Sequence, residues 1–248
     1  MAAALALAAL APGLALGSFL NVVAARVPLG RSIVSPASAC PHCSTQIAWY
    51  DNVPLLSYLF LRGRCRSCAT HIPWKYPLVE ATTAVLIFAC LLKFGLTERA
   101  AAAIVLCAAL VAITVTDLER RVIPNAVVLP AAVIVLALDT LWRGSPEWGL
   151  AALGAALFFF VAALAYPGGM GMGDVKLALL LGAALGRTVP VALMVGFVGA
   201  LVPSLFLIAR HGQAARKRAI PFGPFLALGG LVALFAGHPI VHAYLQLR

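Results

Sequence analysis

Apolar residues run in blocks along this chain, at roughly 2–25, 77–94, 99–116, 125–142, 147–166, 175–187, 188–209 and 222–241. Most of these blocks are close to the ~20 residues that an α-helix needs to cross a bilayer. The pattern predicts an all-α polytopic membrane protein with about eight transmembrane helices. The sixth block is short, so that helix is either tilted or crosses incompletely. The run 175–209 is broken only by Gly186 and Pro190, and it can be divided in more than one way. A single polar stretch of any size, 26–76, follows the first block. The expected organisation is therefore a first transmembrane helix over 1–25, a small cytoplasmic insertion over 26–76, and a membrane-embedded core over 77–248.

Composition agrees with the blocks. Hydrophobic residues make up 63% of the 248 residues and charged residues 10%, with a mean hydropathy of +1.01. A soluble domain carries about 25% charge. The net charge of +10 raises the question of nucleic acid. The cations, however, sit in short loops beside apolar runs, with no aromatic-basic surface, so membrane lipid and not nucleic acid is the expected surrounding. If the segment after the first helix is cytoplasmic, 13 of the 18 Lys and Arg fall on the inside. The positive-inside rule then puts the N-terminus outside and 26–76, 117–124, 167–174 and 210–220 inside. No positive charge precedes the first block and Arg26 follows it. That order does not suit a cleaved signal peptide, so the block is expected to stay as a membrane helix.

The insertion carries CPHC at 40–43 and CRSC at 65–68, two thiol pairs separated by 21 residues. Paired hooks of this kind suit a tetrahedral four-cysteine zinc site built from Cys40, Cys43, Cys65 and Cys68. The gap is slightly longer than the usual 15–20 residues. A redox pair and unconnected cysteines are the alternatives. Four thiolates leave no open position for water, so a zinc here would be structural. It would staple a segment whose core is small. His42 and His71 read as loop residues, and Cys90 and Cys107 as small packing residues inside apolar blocks.

Eight carboxylates remain: Asp51, Glu80, Glu98, Asp117, Glu119, Asp139, Glu147 and Asp174. Glu98, Asp139 and Glu147 lie at or near outer loops and read as solvated charge. Glu80 is near the inner end of the second helix and could pair with a cation. Asp117, in VTDLERRVIPN, and Asp174, in GGMGMGDVKL, lie at the same edge of the hydrocarbon on separate helices. A carboxylate at that depth is costly and marks function. The glycines before Asp174 admit three readings. A phosphate cradle is one, but no Gly-Lys-Ser/Thr follows and no strand precedes. Backbone clearance at Gly171 and Gly173 for an extended peptide is the second. Helix–helix contact through small residues is the third.

Taken together, these segments resemble the bacterial type IV prepilin peptidases, the leader peptidase / N-methyltransferases of pilus and type II secretion systems. GSFLNVVAARVP at 17–28, CPHC, DNVPLLSYLFLRGRCRSC at 51–68, YPLVE at 76–80, TDLERRVIPN at 116–125, GGMGMGDVKL at 168–177 and IPFGPFLALGG at 220–230 follow the family's order and spacing nearly end to end. The resemblance implies a membrane aspartic protease with a Gly-x-Gly-Asp motif, its core over 77–248. It would sit in the bacterial cytoplasmic (inner) membrane and cut the basic leader of prepilins and pseudopilins after glycine at the cytoplasmic face. Asp117 and Asp174 would be the catalytic pair, with Gly171, Gly173 and Lys176 beside the substrate. The resemblance also implies methylation of the new N-terminus with S-adenosylmethionine, to which Asp51, Asn52 and Pro54 of the insertion would contribute. The basic loop at 211–218 carries no motif.

Two carboxyls a few ångströms apart share one proton, so that one serves as base and the other as acid. Asp174 opens a helix and Asp117 closes one. The helix dipole therefore assigns water activation to Asp174 and the shared proton to Asp117. A proton-coupled transporter and a non-catalytic pilus or secretion assembly factor are the rival classes. Against transport, both acids lie at the rim and no internal repeat is visible. Oligomeric state is not encoded in any of these features.

Overall fold

The computed structural model describes residues 2–166, 170–211 and 220–246. Among the described residues ten α-helices follow one another: α1 Ala2–Ala8, α2 Leu10–Arg26, the short α3 Leu56–Phe60, α4 Lys75–Phe94, α5 Glu98–Arg120, α6 Asn125–Arg143, α7 Glu147–Ala165, α8 Met172–Leu185, α9 Val189–His211 and α10 Gly223–Gln246. Among the described residues there is no strand, only the isolated bridges Ala39–Gln46 and Arg64–His71. Six apolar stretches are long enough to cross a membrane, and one of them, Met172–Leu207, contains both α8 and most of α9. Asn125–Thr140 adds a shorter apolar helix. The chain is thus an all-helical, multi-pass membrane protein, and each of the eight sequence blocks is helical. The first is broken at Ala9 into α1 and α2. The run 175–209 divides at Gly186, which takes φ +54 and opens a 3-10 turn, Gly186–Thr188. At 14 residues, α8 is about 21 Å long, short of the ~30 Å hydrocarbon thickness.

The chain packs as two compact units, Met1–Leu96 and Thr97–Arg248. In the first, α2 lies along α4. Gly13 and Gly17 form a small-xxx-small seam. A Cβ at Gly17 would stand 2.6 Å from the Glu80 Cα, and one at Gly13 would stand 2.9 Å from the Ala84 Cα. Without side chains at these points the two backbones can approach closely, which is how helices associate in lipid.

In the second unit, the Thr97 hydroxyl caps α5 by accepting the Ala100 N–H at 3.2 Å. Leu106, Leu110 and Ile113 of α5 are fully buried, as are Leu177, Leu180 and Leu181 of α8. Gly182 brings α8 against α7, where a Cβ would fall 2.6 Å from the Ala152 Cα.

Asp139 departs from the sequence expectation. It is 0% exposed and is not a solvated loop charge. The Arg99 Nη1 donates to both its oxygens, at 3.1 and 3.0 Å, and to the Ala184 carbonyl at 2.8 Å. The same guanidinium lies 5.0 Å from the Trp148 ring. One cation therefore ties α5 to α6, α7 and α8. Sequence distance from the hydrocarbon edge could not reveal this pairing, because the two residues are 40 positions apart.

Removing one partner of such a pair strands the other charge. Asp139→Ala is expected to destabilise the protein by ~3–5 kcal/mol, whereas the double change Arg99→Met with Asp139→Leu costs much less. Thermal unfolding of the detergent-solubilised protein measures both. Equal losses in the two variants would contradict a paired role.

Candidate active site and cysteine cluster

Asp117 sits in the last turn of α5. That helix stops because Arg121 takes φ +55, and its N–H bonds back to the Asp117 carbonyl at 2.9 Å. The link then runs through Ile123 to Pro124, which precedes α6 in an extended conformation. The Asp117 side chain is 6% exposed. Its Oδ2 accepts the N–H of Gly223, the first residue of α10, at 2.9 Å. That amide has no partner within its own helix, as is true of the first N–H groups of every helix. A Cβ at Gly223 would stand 2.8 Å from the same oxygen, so only glycine leaves the carboxylate its place. Phe222 fixes this helix start, stacking on Phe159 at 6.2 Å and lying 5.5 Å from Phe197.

Asp174 is the third residue of α8. Its Oδ2 accepts the Gly171 N–H at 3.3 Å, while its own N–H donates to the Gly171 carbonyl at 3.0 Å. α5 and α8 pack on one another. Gly173 meets Ile123, whose Cβ would be 3.0 Å from an added Cβ, so here the missing side chain admits the α5–α6 link. Around Gly171 the nearest atoms to an added Cβ are the Asp174 Oδ2 at 3.6 Å and the Gly173 nitrogen at 3.9 Å. Lys176 donates from Nζ to the Asn125 Oδ1 at 2.7 Å and ties α8 to the start of α6. Gly168 and Gly169 of the glycine cluster and residues 212–218 of the basic loop lie outside the described residues.

The dipole assignment of roles considered only the negative end of α5; the N-terminal amide of α10 also holds the Asp117 carboxylate. Both aspartates accept a backbone N–H at a helix start. Gly223 is the residue that sequence reasoning missed. Its signal was the Phe-Gly-Pro of IPFGPFLALGG, with proline in the first turn, where a helix tolerates it.

In the first unit, Cys40, Cys43, Cys65 and Cys68 bring their sulfurs within 4.8 Å of one another. The Cys40 and Cys68 sulfurs are 3.8 Å apart. Four thiolates at ~2.3 Å from one tetrahedral zinc stand about 3.8 Å from each other, so the cluster fits a metal of that size. Among the described residues, no histidine joins the group.

The two halves of the cluster are copies. Cys40 N–H donates to the Thr45 carbonyl and Cys65 N–H to the Thr70 carbonyl, each at 2.9 Å. Ser44 and Ala69 take φ +57 and +55. The Cys43 and Cys68 sulfurs stand 3.4 and 3.3 Å from the Thr45 and Thr70 hydroxyls. CPHCST and CRSCAT are thus a local repeat, visible in the sequence once the threonine is included. Hydrogen bonding with Thr45 draws the Cys43 thiol down to about 6. The backbone N–H groups of Cys68 and Ser67 lower Cys65. Both shifts favour the thiolate that a metal requires.

Comparison with known proteins decides the family. Residues 12–94 match the bacterial peptidase A24 N-terminal domain, and residues 104–209 match the type IV leader peptidase family. The chain is 34% identical over 243 residues to a prepilin leader peptidase/N-methyltransferase of Bacillus subtilis (strain 168), covering 95% of this chain and 96% of that protein. The chain belongs to the type IV leader peptidase family.

A protein of the same description from Aeromonas hydrophila is 36% identical, with 94% of this chain and 91% of that protein covered. One from Myxococcus xanthus (strain DK1622) is 42% identical over 207 residues, 79% of this chain but only 62% of that longer protein. No solved structure matches the chain. These likenesses favour the leader peptidase reading over a transporter or an assembly factor. Asp117 and Asp174 fall inside the stretch matched to the leader peptidase family, and the cysteine cluster inside the matched N-terminal domain.

The N-terminal domain also frames a cavity of about 820 Å³. On one rim Asp51 accepts two bonds from Arg66, at 2.7 and 2.6 Å, and that guanidinium holds its carboxyl below the usual range. Arg66 belongs to the second cysteine knuckle, so Asp51 is anchored to the cluster. Leu55 takes φ +59, and its N–H donates to the buried Glu80 Oε2 at 2.9 Å. Asn52 and Pro54 lie between these two anchors and line the cavity.

Two outcomes follow. Gly223→Ala should displace the Asp117 carboxylate and cut proteolytic turnover about 100-fold with folding intact. Turnover within twofold of the wild type would show that the amide is not part of the working site. Elemental analysis of the purified protein should find one metal per chain, lost in Cys43→Ser. A metal-free wild type would remove the site.

Proposed function

We propose that this chain is a prepilin peptidase of the bacterial inner membrane. On this reading it cleaves the basic leader of type IV prepilins and type II secretion pseudopilins after glycine, at the cytoplasmic face. The reading rests on Asp117 at the end of α5 and Asp174 at the start of α8, two helices that pack on one another, in a chain of this family. The excess of Lys and Arg in the segments after α2, α5 and α9 supports the cytoplasmic orientation.

In the proposed reaction one aspartate draws a proton from a water molecule, and the oxygen attacks the scissile carbonyl. The other aspartate donates a hydrogen bond to the carbonyl oxygen as charge develops there. The leaving amine then takes the proton that the base accepted. The Gly223 and Gly171 amides each hold one oxygen of one aspartate, so the carboxylates do not have to be ordered when the substrate arrives. The open side of Gly171 supports the passage of a substrate backbone beside Asp174.

The relatives' names add N-methyltransferase, and we assign the same second step to this chain. Bound S-adenosylmethionine would supply the methyl group that the new N-terminal amine takes up. Asp51, Asn52 and Pro54 are the residues proposed to serve it. Cys40, Cys43, Cys65 and Cys68 would hold one structural zinc, which keeps the Arg66 anchor of Asp51 in place.

Mass spectrometry of a prepilin co-expressed with this chain reads both steps. The wild type should yield a pilin shortened to the residue after glycine and heavier by one methyl. Asp117→Asn and Asp174→Asn should each leave the leader on. A processed pilin in either variant would overturn the dyad, and an unprocessed one with the wild type would overturn the peptidase reading.

A further inference from the structure

The short helix α3 is inside-out. Leu56, Leu59 and Phe60 recur at i, i+3 and i+4 and so share one of its faces. These residues are 53%, 70% and 84% exposed. The opposite side carries the polar group. Ser57 is buried, and its hydroxyl accepts the Val53 N–H at 3.1 Å and donates to the Tyr50 carbonyl at 3.0 Å. A helix bathed in water is arranged the other way round. The cavity of this unit is lined by Leu55, Ser57, Tyr58 and Leu61, so the apolar face of α3 looks away from it.

Two contacts fix the height of this face. Leu55, at the start of α3, donates its N–H to the Glu80 Oε2 at 2.9 Å. Glu80 lies in the second turn of α4, ~7.5 Å along the axis from Lys75. Further along α3, the Tyr58 ring lies 5.9 Å from that of Trp74, the residue before α4, and its hydroxyl donates to the Ile72 carbonyl at 3.4 Å. α3 therefore stands beside the first two turns of a helix that is long and apolar enough to cross a membrane. That is the level at which an interfacial amphipathic helix settles, its apolar face roughly 5–10 Å into the boundary between headgroups and acyl chains.

The neighbouring residues suit the same level. Trp74 is exposed, and Trp and Tyr collect where hydrocarbon meets headgroups. Arg62 and Arg64 follow α3 and Lys75 opens α4, and all three are exposed. Cations at this height meet lipid phosphates. Lipid is present there already, whereas a protein partner would have to displace it. We propose that α3 is an interfacial helix: Leu56, Leu59 and Phe60 sit in an anionic lipid surface, with Arg62, Arg64 and Lys75 on its phosphates. Leu55 both starts this helix and closes the 51–55 turn, so the bilayer becomes part of what holds that turn in place.

Photolabelling of the full-length protein tests this. The protein is reconstituted into vesicles of phosphatidylethanolamine and phosphatidylglycerol with a trace of a phospholipid that carries a diazirine near the top of its acyl chain. After irradiation and proteolysis, mass spectrometry should find lipid adducts on 56–60 as well as on α4. Replacing phosphatidylglycerol by phosphatidylcholine should reduce the adducts on 56–60 several-fold and leave those on α4 unchanged. Arg62→Gln with Arg64→Gln should shrink that difference. Leu59→Asn with Phe60→Asn should lose the adducts on 56–60 and keep those on α4. The wild-type labelling decides the matter even if this last variant does not fold. A 56–60 segment free of adducts beside a labelled α4 would overturn the proposal and leave the face to a protein partner. Equal labelling of 56–60 with and without phosphatidylglycerol would overturn the anionic surface.

Discussion

A carboxylate among apolar helices has to be met by a backbone amide or a cation, because hydrocarbon supplies neither. Several acids of this chain are met in that way, and some of the bonds they accept join distant segments. Asp117 holds the start of α10. Asp174 holds the turn before its own helix. Asp139 takes the Arg99 guanidinium from α5. Glu80 holds the backbone of the 51–55 turn from α4. The acids are few, and two local features of the chain trace to them. Gly223 is glycine because Asp117 is in the way of any larger residue, and Leu55 keeps a positive φ because Glu80 holds its amide.

The same constraint accounts for the layout of the peptidase site. In the proposed dyad two carboxylates have to approach each other, yet each has to be fixed by something other than its partner. Helix starts serve well because their first amides have no partner of their own. Using the start of α8 for one aspartate and the start of α10 for the other fixes both from the backbone.

Much of this was legible in the sequence, and the parts that were not share a cause. Apolar blocks gave the helices, since crossing a bilayer demands an unbroken run. The four cysteines were legible because paired thiols at short spacing have few other uses. Asp117 and Asp174 stood out as charges at the edge of apolar runs. Pairings between residues far apart in the chain were not legible. Gly223 meets Asp117 across 106 positions and Asp139 meets Arg99 across 40, and no local pattern records either contact. The dipole reasoning was incomplete for this reason, since it used the helix that carries Asp117 and could not see the α10 amide that holds it. The Gly173 clearance is a milder case: glycine was read as room for a substrate, and Ile123 fills that space.

The central claim is that α5 and α8 bring Asp117 and Asp174 face to face. The most direct measurement replaces both with cysteine, D117C with D174C, in a background where Cys90 and Cys107 are serine, and treats membranes with a short bifunctional thiol reagent. Peptide mapping by mass spectrometry should recover a cross-link between the segments carrying positions 117 and 174 in the double variant and none in either single variant. Failure of the two positions to link, with each still reacting singly, would contradict a shared site.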